Sequence, residues 1–285
     1  MRWQSGRRSR NIEDRRGFRV SRRMAGGGIG TIVIALIALY FGIDPSVIIN
    51  QNVQQGGDMV STSEQYSASS AENRLADFVS VVLADTEDTW HELFRRMDRT
   101  YREPTLVLFT GAVESACGFA QSATGPFYCP ADEKVYIDLS FYQDLKQRFQ
   151  APGDFAQAYV VAHEIGHHVQ TLLGISSKVH KLRSRLGKEK SNQLSVMMEL
   201  QADCLAGVWA YHAERSRSIL EEGDIEEGLN AASAIGDDRL QRKSRGYVTP
   251  DSFTHGSSSQ RVRWFRRGIE KGDINQCNTF SADRL

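Results

Sequence analysis

The stretch "VVAHEIGHHVQTLLG", residues 160–174, limits what this chain can fold into more than any other. Its apolar residues recur at helical intervals, and a helix would put His163 and His167, four residues apart, on one face. Two imidazoles so placed, with Glu164 beside the first, can offer two nitrogens to one divalent ion and keep a carboxylate at hand. The H-E-x-x-H spacing arises by accident in roughly one chain in a hundred, so other residues must agree before it carries weight. A metal held for chemistry takes three protein ligands and leaves one position open. The fold must therefore press a second element against this helix.

That element reads as the helix from about Gln193 to Glu214, in "MMELQADCLAGVWA". Glu199 is the candidate third ligand. Asp203, one turn later, can accept the second ring N–H of a ligand histidine and fix its tautomer. Small Ala202, Ala206 and Gly207 would let two helices approach. Alone, E-x-x-x-D is a common charged helix face; the upstream histidines give it a different meaning. A metzincin-type third ligand is excluded, because Gln170 and Leu173 stand where that pattern needs Gly and His. His168 points about 100° away from His167 and reads as a packed or solvent-facing residue.

The rest of the pattern predicts an α+β domain over residues 72–285. Leu75, Phe78, Val79, Val82, Thr86, Trp90, Leu93, Phe94 and Met97 mark one long amphipathic helix over 72–98, with His91 and Glu92 as a surface pair. Residues 105–115 and 134–142 read as strands, separated by a loop around Gly125, Pro126 and Pro130. Asp154 can cap the helix that runs to Leu173. A basic connector, "SSKVHKLRSRLGKEKSN", leads to the second helix; a third is expected from Ile225 to Arg242, and a last one capped by Ser258 or Ser259.

The formal net charge is zero, yet residues 1–23 hold nine Arg against Glu13 and Asp14. Residues 26–43, "GGGIGTIVIALIALYFGI", carry no charge, and as a helix would span roughly 27 Å. The expectation is a basic cytoplasmic segment (1–25), one transmembrane helix (26–43), a flexible linker (44–71) and a domain on the far, periplasmic or extracellular side of a bacterial cell membrane. The glycines at 26, 27, 28 and 30 could pack against another span, which leaves the oligomeric state open. A nucleic-acid-binding tail does not explain the uncharged run, so no nucleic acid is expected as partner.

Four cysteines without a C-x-x-C pair suit two disulfides in an exported domain. Of the three pairings, the favoured one joins Cys117 to Cys129 across a short loop and Cys204 to Cys277. Four buried free thiols are the alternative.

Taken together, the H-E-x-x-H and "ELQADCLAG" resemble the gluzincin clan of metallopeptidases. With the opening "MRWQ", "GPFYCPADEKVYIDLSFY" and "AYVVAHEIGHHVQ", the chain resembles the bacterial neutral zinc metallopeptidase (YpfJ-like) family over nearly its whole length. The resemblance implies a zincin-like domain, a Zn2+ cofactor and a peptide or protein substrate. It also draws attention to His255 and Arg261: in gluzincins related to the prenyl-protein peptidases, a histidine and an arginine in such a segment border the active site. Those relatives read H-P, whereas Gly256 follows His255 here. The expected chemistry is amide hydrolysis by an activated water, with Glu164 as general base and His255 as a hydrogen-bond donor to the oxyanion. By zincin analogy, the strand at Val135 to Leu139 would receive substrate as an added strand. An anchored domain with a structural zinc, or a metal-free scaffold, is the alternative.

Overall fold

Residues 1–18 and 68–285 are described by the computed structural model, and they belong to one structural unit. Helix α1 (Ser70–Arg96) opens on a capping box: Ser69 accepts the Glu72 N–H, and the Glu72 carboxylate accepts the Ser69 N–H. Beyond Phe78 most of α1 is buried, because helices lie against it and the start of the chain covers it. Trp3 stacks edge-on against Phe78, with centroids 5.3 Å apart. Arg8 makes a bidentate pair with Asp77, and Arg7 reaches Glu87 and Asp88. Strand β1 (Ile12–Asp14) then pairs in parallel with β2 (Thr105–Phe109), Ile12 opposite Leu106.

Residues 1–18 thus pack with residues 68–285, whereas the expected boundary at residue 25 lies outside the described residues. Of the arginines in residues 1–18, Arg7 and Arg8 pair with carboxylates of α1, and Arg15 and Arg16 pair with Glu13 and Asp14. Segment 26–43 and residues 44–67 of the linker lie outside the described residues; among the described residues, no helix is long and apolar enough to cross a membrane.

The hairpin β3 (Ala112–Ser115) and β4 (Gly118–Gln121) follows, then β5 (Phe127–Cys129) and β6 (Lys134–Asp138). The main sheet has the order β1-β2-β6-β5, with β5 antiparallel to β6 and the other neighbours parallel. β6 is thus flanked by β2 along its length and by β5 at Lys134–Tyr136. On the β5 side the first part of the strand expected to receive substrate, Lys134–Tyr136, is occupied, while Ile137 and Asp138 pair with β2 alone; alternation reveals a strand but not its neighbours.

Seven further helices follow: α2 (Phe141–Gln147), α3 (Asp154–Leu172), α4 (Ile175–Arg183), α5 (Lys188–Arg217), α6 (Asp224–Ala234), α7 (Asp237–Arg245) and α8 (Ser258–Lys271). The single helix expected from Ile225 to Arg242 is two, broken at Ile235 and Gly236. A Cβ on Gly236 would lie 2.4 Å from the Ser258 nitrogen, so the break lets the start of α8 come close. Helices α5 and α8 touch backbone to backbone, since a Cβ on Gly268 would fall 2.0 Å from the Cys204 carbonyl oxygen. Disulfides Cys117–Cys129 and Cys204–Cys277 tie the hairpin to β5 and the C-terminal segment to α5.

Candidate metal centre

The site begins with how α3 is held. Gly153 precedes it at φ +119°, and any Cβ there would lie 2.0 Å from the Glu227 carboxylate. Glu227, from α6, accepts the Phe155 N–H at 3.1 Å and caps the helix. The expected cap, Asp154, is instead the first helical residue, and its carboxylate takes the Met1 ammonium at 2.6 Å. Asp154, Asp224 and Glu227 bring carboxylate oxygens within 4.8 Å of one another, and this ammonium lies against them, 3.4 Å from Asp224.

Two turns on, His163 and His167 stand on one face with ring centroids 4.9 Å apart. Between them, Gly166 lets α5 approach: a Cβ there would lie 2.9 Å from the Ala202 carbonyl. That contact brings in Glu199, whose carboxylate oxygens lie 3.1 Å from His163 Nε2 and 3.4 Å from His167 Nε2. Zinc bonds of about 2.0–2.2 Å in tetrahedral geometry separate donors by roughly 3.3–3.6 Å, so these three side chains fit the ion.

The outer ring nitrogens are also committed. His163 Nδ1 donates to Asp203 at 2.8 Å, and His167 Nδ1 donates to Gln170 at 2.9 Å. Gln170 cannot turn round, because its Nε2 donates to the Met198 carbonyl. Each imidazole, once its Nε2 proton is lost, therefore presents an Nε2 lone pair to the centre. Asp203 is completely buried and accepts further hydrogen bonds from Tyr159 at 2.5 Å and from Arg261 Nε and Nη2 at 2.9 and 2.8 Å.

Burial opposes every charge here, and the partners outweigh it. Asp203 is held below the usual carboxylate range by Arg261 and His163, and Glu199 well below it by the two histidines. Without a metal, burial lowers His167, but the Glu199 carboxylate lifts its pKa to about 9; His163 is raised by Asp203 and Glu199. The centre thus attracts positive charge. Glu164 is buried beside it, and its charge is among those acting on His167. Among the described residues this cluster offers three donors, the number that leaves a position open.

His168 faces away, fully buried, between the Tyr128 hydroxyl and the Arg102 carbonyl. His255 stands near the centre, its side chain about half exposed, and its charge is felt by Glu199. Arg261 lies behind Asp203. Sequence reasoning passed over Tyr159 and assigned Gln170 no partner. Their places one turn before His163 and three residues after His167 were the available signals.

With this geometry in view, comparison decides the family. The family model described as "Putative neutral zinc metallopeptidase" matches residues 1–280. The chain belongs to the neutral zinc metallopeptidase family. Zinc is the cofactor of that family. The "Uncharacterized protein YpfJ" of Escherichia coli K12 is 51% identical over 98% of this chain and 99% of its own length. The "Uncharacterized protein Rv2575" of Mycobacterium tuberculosis is 39% identical over 87% of this chain and 86% of its own. No solved structure matches the chain. The match of the metallopeptidase family model from residue 1 agrees with the packing of residues 1–18 into the same unit as the centre.

Proposed function

We propose that this chain is a zinc-dependent, zincin-like peptidase that hydrolyses peptide bonds with Glu164 as general base. The observation that carries the reading is the convergence of His163 Nε2, His167 Nε2 and Glu199 while both outer ring nitrogens are occupied. His163, His167 and Glu199 would hold the metal. When bound, zinc supplies Lewis-acid chemistry, polarising the scissile carbonyl and lowering the pKa of water toward about 7. Glu164 accepts the water proton on a carboxylate oxygen and passes it to the leaving amine. Asp203, backed by Arg261 and Tyr159, keeps His163 in the ligand tautomer. His255 donates a hydrogen bond to the oxygen that becomes negative.

An extended substrate would pair with β5. It ends the sheet, and its Tyr128 hydroxyl reaches His168 on α3, beside the centre. The two disulfides support placing this unit in an oxidising compartment outside the cytoplasm. Residues 1–18 would then share that side.

The test uses the purified full chain with fluorescein-labelled casein. Wild type is expected to carry one zinc and cleave the protein, while Glu164→Gln keeps the zinc and loses turnover. Cleavage by metal-free wild type, or full activity in Glu164→Gln, overturns the reading.

A further inference from the structure

The loop before α8 is organised by one side chain that touches none of the three metal-ligand candidates. Asp237 is the first residue of α7 and is buried. Its Oδ2 accepts three successive backbone N–H groups, from Thr254 at 2.7 Å, His255 at 2.6 Å and Gly256 at 3.1 Å. Its own N–H donates to the Gly256 carbonyl at 2.9 Å. Its Oδ1 lies 3.3 Å from His255 Nδ1. Three consecutive N–H groups around one carboxylate oxygen form a concave nest whose shape depends on the anion inside it.

The nest rests on the part of α5 that brings in Glu199. Gly256 has φ +91°, and a Cβ there would lie 3.2 Å from Leu200 and 3.3 Å from Val196, the residues one before and three after which Glu199 stands. The carboxylate thus sets both where the loop lies on α5 and which ring nitrogen of His255 is engaged. Among the described residues Nε2 has no hydrogen-bond partner, while Nδ1 has Asp237 and the Thr254 hydroxyl.

We propose that Asp237 is the positioning residue for His255: it shapes loop 254–256 around its carboxylate, holds Nδ1, and leaves Nε2 to donate to the substrate oxygen. With Nδ1–H given to Asp237, Nε2 is a donor only in the protonated ring, so the aspartate must also favour the imidazolium. The charged groups around the ring agree with this. Partial burial opposes the charge, Asp237 from α7 and Glu199 from α5 favour it, and Arg261 from α8 disfavours it, with a raised pKa as the result.

The inference rests on the proposed peptidase activity. It is tested in the full chain on labelled casein, with zinc content measured for every variant. Asp237→Asn keeps an oxygen for the three N–H groups and removes the charge. It is expected to retain zinc, to lower kcat about 100-fold with KM changed less than about threefold, and to move the alkaline limb of the rate profile to lower pH. His255→Ala should lose a similar factor, and the double variant should lose no more than either, because one residue acts through the other. Asp237→Glu should recover part of the loss. Multiplicative losses in the double variant, or an Asp237→Asn alkaline limb that does not move, overturn the positioning role. A wild-type chain without zinc or cleavage fails the peptidase reading itself, a separate result.

Discussion

Two aspartate–histidine pairs flank the centre, Asp203 with His163 and Asp237 with His255, and they differ in what surrounds the carboxylate. Asp203 has no exposure, and a guanidinium and a phenol take its remaining lone pairs. Asp237 is bonded to a loop backbone and a half-exposed ring. The first pair is locked from behind by a fixed positive charge, which suits a residue that must hold one tautomer. The second has its positive charge only on the ring it faces, which suits a group whose proton matters. The contrast lies in the counter-charge more than in the pair.

Removing the buried carboxylate should have the largest effect. Asp203→Ala leaves Arg261 buried without its partner, at a cost of about 3–5 kcal/mol. It should also abolish zinc retention through dialysis; urea unfolding and zinc analysis read the two losses. If this variant were as stable as Asp237→Asn, the distinction between the pairs would collapse.

Gln170 sharpens the comparison, because it does for His167 with a neutral oxygen what Asp203 does for His163 with a charge. Gln170→Leu should weaken zinc binding about 10–100-fold, measured by competition with a chromophoric chelator, while keeping most of the fold's stability. An unchanged affinity would mean that His167 needs no partner behind it.

The remaining prediction concerns pH. The metal-free His167 pKa is raised to about 9, above an unfolded value near 6.5. Its contribution to metal-free stability is therefore fully present below about 6.5 and lost as pH rises through about 9. Zinc must displace that proton, so apparent affinity should rise by about tenfold per pH unit over the same interval. Chelator competition at a series of pH values would show a flat dependence if the proton were absent.

What was legible in the sequence follows from distance along the chain. His163, Glu164, His167, Glu199 and Asp203 sit at fixed steps on two helices, and helical periodicity brings each set onto one face. Asp237 stands eighteen residues from the histidine it serves, across a loop with no period. Arg7 and Arg8 were visible as charge, but their partners Asp77, Glu87 and Asp88 lie 69 to 81 residues on, and composition does not join them. The break at Gly236 was hidden because its cause, the approach of α8, is tertiary. The strand character of β6 was legible while its flanking by β2 and β5 was not.

The pairing of β1 with β2 also sets an order of events. Ile12 waits for Leu106, and Met1 for Asp154, 153 residues later. At roughly 5–20 residues per second of synthesis, the 94 residues between Ile12 and Leu106 take on the order of five to twenty seconds to appear. Contacts this distant make for slow folding. Residues 1–14 are thus seated only after these later partners exist, and they close on the start of the helix that carries His163. Completion of the unit that holds the candidate metal centre is thereby tied to residues 1–14.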